Sequence, residues 1–199
     1  NFIIPITLIC VLFFNGCKEM SKSETNLDSK PEYVEQLPVT PEPQSKIKIV
    51  PIEHATTVLE WGDITIYIDP VGGAEVFKNQ KQPDLILITD VHGDHLSLET
   101  LEELNTEKAK IIAPRAVADK IPAQYTPQID VLNNGDSKER FGITVEAIPM
   151  YNLREEAKTF HEKGRGNGYV LSIDDQRLYF SGDTEDIPEM RALQNIDKA

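Results

Sequence analysis

The chain has almost no cysteine. Its two, Cys10 and Cys17, lie in the first seventeen positions of 199. Everything beyond them therefore lacks a disulfide framework, a thiolate nucleophile and a cysteine-held metal site. Histidine is nearly as scarce, with four: His54, His92, His95 and His161. Basic side chains are outnumbered, 20 Lys and Arg against 33 Asp and Glu, for a net charge of −13. Such a surface repels phosphate backbones, so no nucleic-acid partner is expected. No internal repeat is visible, and no apolar run approaches the roughly 20 residues of a membrane-crossing helix. What is present is 40% hydrophobic residues, too many for a disordered chain and enough for one packed domain with an appendage.

The appendage comes first. Residues 2–14 are apolar and uncharged, and end in Phe14-Asn15-Gly16-Cys17 before the polar Lys18-Glu19. A short apolar run closing on small residues and a cysteine resembles a bacterial lipoprotein signal, with Cys17 as the lipidated residue. A buried helix ending at a glycine would share much of this composition. On the first reading, residues 1–16 are the signal segment of an exported, membrane-anchored lipoprotein. Residues 17–45 carry Pro31, Pro38, Pro41 and Pro43 among charges; they cannot bury apolar area and read as a disordered tether.

Residues 46–199 read as an α/β domain. Strands are expected at 46–52, 56–61, 64–68, 84–89, 110–113, 142–148, 169–173 and 177–181, from alternation or from short apolar runs. Gly62-Asp63 and Asp174-Asp175-Gln176 mark hairpin turns. Helices are expected at 98–104, capped by Ser97, at 114–121, and from Pro188 to 193.

The chemistry concentrates in Thr89-Asp90-Val91-His92-Gly93-Asp94-His95. Two of the four histidines and two carboxylates fall within six residues, between a buried strand and a helix. Imidazoles and carboxylates are the donors that a Zn, Mn or Fe site takes. A loop at a strand end is where a rigid sheet can aim them. Gly93 is expected to let the backbone turn tightly there.

This segment resembles the signature of the metallo-β-lactamase superfamily, H-x-H-x-D-H after a buried strand, with Asp90 where the first histidine stands. The resemblance implies a metallo-β-lactamase-type αββα sandwich with two divalent metal ions, most simply Zn, with Mn or Fe favoured by the carboxylate at position 90. Carried over, Asp90 and His92 face the first ion, and Asp94 and His95 the second. Asp94 also steers the attacking water. Phe180-Ser181-Gly182-Asp183-Thr184 resembles the family's Gly-Asp-Thr, whose aspartate bridges both ions, which gives Asp183 that role. Tyr67-Ile68-Asp69-Pro70 resembles an early motif in which the aspartate, here Asp69, supports the site. His54-Ala55-Thr56 resembles the opening of the branch that includes lactonases and phospholipid phosphodiesterases; His54 is equally well a ligand or a hydrogen-bonded loop histidine.

The family's third histidine has no counterpart in Ile148-Pro149-Met150-Tyr151-Asn152. His161, ahead of Gly164, Gly166 and Gly168, is the first-metal ligand on this reading. The alternative is a surface histidine with Tyr151 or Asn152 in its place. Residues 163–168 read as a flexible link, although Arg165 and the backbone there could also meet an anionic substrate. The family domain carries further strands and a last histidine, so the chain is expected to be C-terminally incomplete at Ala199. The implied activity is metal-dependent hydrolysis of a small ester, lactone, amide or phosphodiester by a metal-bridged hydroxide. The alternative is a non-catalytic surface lipoprotein that keeps the fold.

Overall fold

The computed structural model describes residues 47–199. The expected signal segment, tether and lipidation site at Cys17 lie outside the described residues. Two sheets form the domain. The first holds β1 (Ile47–Glu53), β2 (Thr56–Trp61), β3 (Ile64–Ile68), β4 (Leu85–Leu87), β5 (Lys110–Ala113) and β6 (Ile129–Val131), in that order across the sheet. β1 to β3 run antiparallel, and β3 to β6 run parallel. The second sheet is antiparallel, in the order β10-β9-β8-β7, from β7 (Ser137–Arg140), β8 (Ile143–Met150), β9 (Gly166–Ile173) and β10 (Gln176–Phe180).

Alternation along the strands builds two cores. In β4, Leu85 and Leu87 point between the sheets, where they meet Val145, Ala147, Tyr169 and Leu171. Ile86 and Ile88 point the other way, onto Leu101 of α1 (Leu98–Glu103) and Val117 of α2 (Arg115–Ala118). A parallel strand covered on both faces must be apolar at every position, which is why residues 84–89 form a continuous run. Ser97 caps α1 by accepting from the Thr100 backbone N–H at 3.1 Å. α3 (Pro188–Arg191) opens on a proline, whose missing N–H costs a first helical turn nothing.

The expected sandwich is present, with less helix than the sequence suggested. The helix expected at 114–121 is a single turn, Arg115–Ala118, and Pro122 bars Ile121 from extending it. The helix expected to reach residue 193 stops at Arg191. β7, read as Ser-Lys-Glu-Arg, is a polar edge strand without apolar alternation, so periodicity could not find it. β9 starts at Gly166, three residues earlier than expected, so the supposed flexible link is partly buried strand. At the end of the chain Lys198 makes one parallel bridge to Leu178 of β10.

Candidate metal centre

Three strand ends meet at one edge of the sandwich. β3 and β4 are parallel neighbours, so the residues that follow them, Asp69 and Thr89-Asp90, emerge side by side. The Thr89 backbone N–H donates to Asp69 Oδ1 at 2.7 Å. The second sheet is tied on at the same level, where the Asn167 N–H of β9 donates to the Thr89 carbonyl at 3.0 Å. After Asp90 the chain closes a tight turn in which His95 N–H and Leu96 N–H both donate to the His92 carbonyl. β10 then delivers Gly182-Asp183 across from that turn. Gly182 has φ 58, and a Cβ there would sit 2.5 Å from Met150 Sδ. Only glycine takes that conformation so close to a neighbour without strain.

The six side chains expected from the sequence converge as two groups. Asp90, His92 and His161 offer donor atoms within 4.8 Å of one another; so do Asp94, His95 and Asp183. Asp90 is fully buried, with Oδ2 2.8 Å from His92 Nδ1 and 3.7 Å from His161 Nε2. The His92 and His161 rings meet edge to face at 5.0 Å between centroids. Asp183 joins the groups, because its Oδ2 lies 3.3 Å from His95 Nε2 and 3.4 Å from His161 Nε2. Asp94 is more loosely placed, half exposed with Oδ2 3.8 Å from His95 Nε2.

Whether these residues suit a metal can be judged from one atom. His161 Nε2 is buried and has no hydrogen-bond partner. An unsatisfied buried polar atom costs about 1–3 kcal/mol, and a cation beside it would remove that cost. The donors are imidazole and carboxylate without thiolate, a set that fits Zn, Mn or Fe. Asn152 Nδ2 lies 3.1 Å from His161 Nδ1 and also donates to the Ala157 carbonyl at 3.0 Å, so Nδ1 accepts and Nε2 carries the proton that a metal would displace. Burial pushes the His161 pKa down, against the pull of Asp183 and Asp90, and so favours the neutral imidazole that a metal requires.

His95 behaves in the opposite way. Burial disfavours its charged form, but the carboxylates of Asp183 and Asp69 outweigh that and push its pKa up to about 10. The same contact holds Asp183 below the usual carboxylate range. Asp69 lies behind His95, buried at φ 45, where it accepts from Thr89 Oγ1 at 2.7 Å and from the imidazole Nδ1 at 2.8 Å. His54 belongs to neither group. It is exposed, and lines a cavity of about 330 Å³ together with Asp69, Thr89, Gly182 and Asp183. A second cavity, about 420 Å³, opens on the other flank beside Tyr151, Leu153 and His161. A further one of about 460 Å³, around Glu103 and Tyr125, shares no residue with either group.

Gly93 and Arg165 behave differently from their sequence context. Gly93 was expected to make the turn possible, yet it has no positive φ and a Cβ there would meet nothing within 4 Å. The turn is made by the His92 carbonyl instead. Arg165 was expected in a flexible link and points inward: its Nη2 is 3.1 Å from Asp90 Oδ2 and its Nε 3.3 Å from Oδ1. Asn152, read with Tyr151 as the alternative to His161, lies beside that histidine instead, and Thr89 was not singled out as a site residue. The signal for Thr89 was its position beside Asp90.

The profile of the beta-lactamase superfamily domain matches residues 48–199. The chain belongs to that superfamily. A metal-dependent hydrolase of Archaeoglobus fulgidus is 28% identical over 159 residues, 76% of this chain and 68% of its own length. One from Pyrococcus horikoshii is 30% identical over 155 residues, 75% of this chain and 67% of its own. Among solved structures, a Parabacteroides distasonis protein described as a metal-dependent hydrolase superposes with a TM-score of 0.68 at 34% identity. It covers 76% of this chain and 67% of that one. The chain thus spans about two thirds of the length of these relatives. The fold expected from the signature at Asp90–His95 is the fold found.

Proposed function

We propose that this superfamily member is a metal-dependent hydrolase that works with two divalent ions, zinc first among the candidates and Mn or Fe next. Asp90, His92 and His161 would hold one ion, and Asp94 and His95 the other. Asp183 would serve both. The observation that carries this reading is the position of Asp183 Oδ2, within 3.4 Å of an imidazole from each group. The relatives from Archaeoglobus and Pyrococcus, both metal-dependent hydrolases, support it.

Divalent ions in such a site supply Lewis acidity, polarising the oxygen under attack and bringing the pKa of water near neutral. The chain's own residues do the rest. Asp94 is the most exposed acid of the six, at 55%. It is free to orient the attacking water by accepting its proton. Asp69 holds the His95 ring so that Nε2 faces the site. The two flanking cavities admit a small ester, lactone, amide or phosphodiester from solvent. We also propose that the protein is exported and held at a membrane by lipid on Cys17; the apolar run ending at that cysteine supports this part of the reading.

The test is metal content by mass spectrometry, together with turnover of chromogenic ester and phosphodiester substrates, on the full chain and on Asp183→Asn. Near two equivalents of metal and measurable turnover are expected, both falling in the variant. A folded chain that takes up no zinc, manganese or iron would overturn the proposal.

A further inference from the structure

Asp90 stands where a neutral imidazole would leave the first group less negative, and the structure brings a compensating charge to it. Arg165, 75 residues away, engages both carboxylate oxygens. The oxygen held by Nη2 is the same Oδ2 that faces His92 and His161. The guanidinium is held from behind by the Phe160 carbonyl. It sits directly before Gly166, where β9 begins. Unlike a lysine or histidine, it cannot shed its charge when a metal arrives.

The second group has no such partner. Among the described residues, neither Asp94 nor Asp183 pairs with a lysine or arginine; their ion-pair neighbours are His95 and His161. One group therefore offers a single carboxylate already neutralised by a fixed cation. The other offers two carboxylates whose ion-pair partners are imidazoles, which a metal binds in their neutral form and so strips of charge. Once His95 has released its proton, the second group carries the larger uncompensated negative charge and draws a divalent ion more strongly.

We propose that Arg165 is a resident counter-charge that makes the Asp90 group the weaker and more exchangeable of the two, so that the Asp94 group fills first. This rests on the metal-centre reading above. Arg165 acts here as a positioning residue: it sets occupancy through Asp90. The arrangement would let metal supply govern activity, since one ion stays while the other comes and goes.

The test is zinc titration of the metal-free full chain, followed by calorimetry and by native mass spectrometry, for the natural sequence, Arg165→Gln, Arg165→Lys and Asp90→Asn. Two binding steps of unequal affinity are expected. Removing a unit positive charge a few ångströms from the ion should tighten the weaker step roughly tenfold or more in Arg165→Gln and leave the tighter step in place. Arg165→Lys, which keeps the charge, should leave the weaker step weak. Asp90→Asn should abolish the weaker step alone, and this measurement stands even if Arg165→Gln fails to fold. Two steps of equal affinity would overturn the inference and leave the hydrolase reading intact. So would an unchanged or loosened weak step in folded Arg165→Gln, or loss of the tighter step in Asp90→Asn. No metal uptake by the natural chain would overturn both.

Discussion

The Asp69 carboxylate and the His95 Nδ1 face each other at 2.8 Å, with both side chains buried. A carboxylate can only accept, so Nδ1 carries the proton and Nε2 is turned towards Asp94 and Asp183. Asn at position 69 keeps the shape and tolerates φ 45, but removes the charge. Asp69→Asn should therefore stay folded and lose about 10–100-fold in zinc affinity at the Asp94 group. Zinc titration beside circular dichroism checks this; unchanged affinity would show that the contact does not tune the ligand.

The same histidine, held by Asp183 as well as Asp69, makes the metal-free protein sensitive to alkali. The folded pKa of His95 is raised to about 10, from an ordinary value of 6.5. A raised pKa contributes stability that is fully present below the unfolded value and is lost as pH rises through the folded one. The melting temperature of the metal-free chain should fall between pH 6.5 and 10. In His95→Gln that fall should shrink. Saturating zinc should also suppress it, because the metal binds the deprotonated ring and competes with the proton.

Two glycines should respond differently to alanine. A Cβ at Gly168 would lie 2.8 Å from the Ser181 carbonyl oxygen and 2.9 Å from that of Phe180, both backbone atoms at the end of β10. Gly168→Ala must push that strand end away, and with it Asp183, at a cost of about 1–3 kcal/mol in urea unfolding. Gly93→Ala meets open space and should change stability by less than about 0.5 kcal/mol. A large loss at Gly93 would contradict the turn geometry described above.

Tyr169 crosses the core to bring the sheets together near the site. Its hydroxyl donates to the Ile88 carbonyl at 2.8 Å, two residues before Asp90, and burial pushes its pKa well above the usual tyrosine range. Tyr169→Phe removes that bond and the one the hydroxyl accepts from Asn167 Nδ2 at 3.4 Å, for a loss of about 1–3 kcal/mol by chemical denaturation. No change would mean that the carbonyl finds another donor.

Much of this molecule was legible locally. The run Asp84 to Thr89 is apolar at every central position because its strand is covered on both faces, and that pattern is visible in the sequence. The hairpin at Gly62-Asp63 and the Ser97 cap were also local, since turn and cap chemistry acts over a few residues. Asp90, His92, Asp94 and His95 could be read together because one short loop carries them all.

The sequence by itself therefore determined the α/β class, the positions of the first five strands along the chain and the one loop where metal chemistry concentrates. Each of these depends on interactions between near neighbours. Only the tertiary structure decided between His161 and its alternatives at positions 151 and 152, set Asp183 within 3.4 Å of an imidazole from each group, and brought Arg165 onto Asp90 from 75 residues away. Those relationships exist because two sheets pack face to face and bring the ends of separate strands to one edge. The alternation of apolar residues records that each strand is buried. It does not record which strand ends will meet.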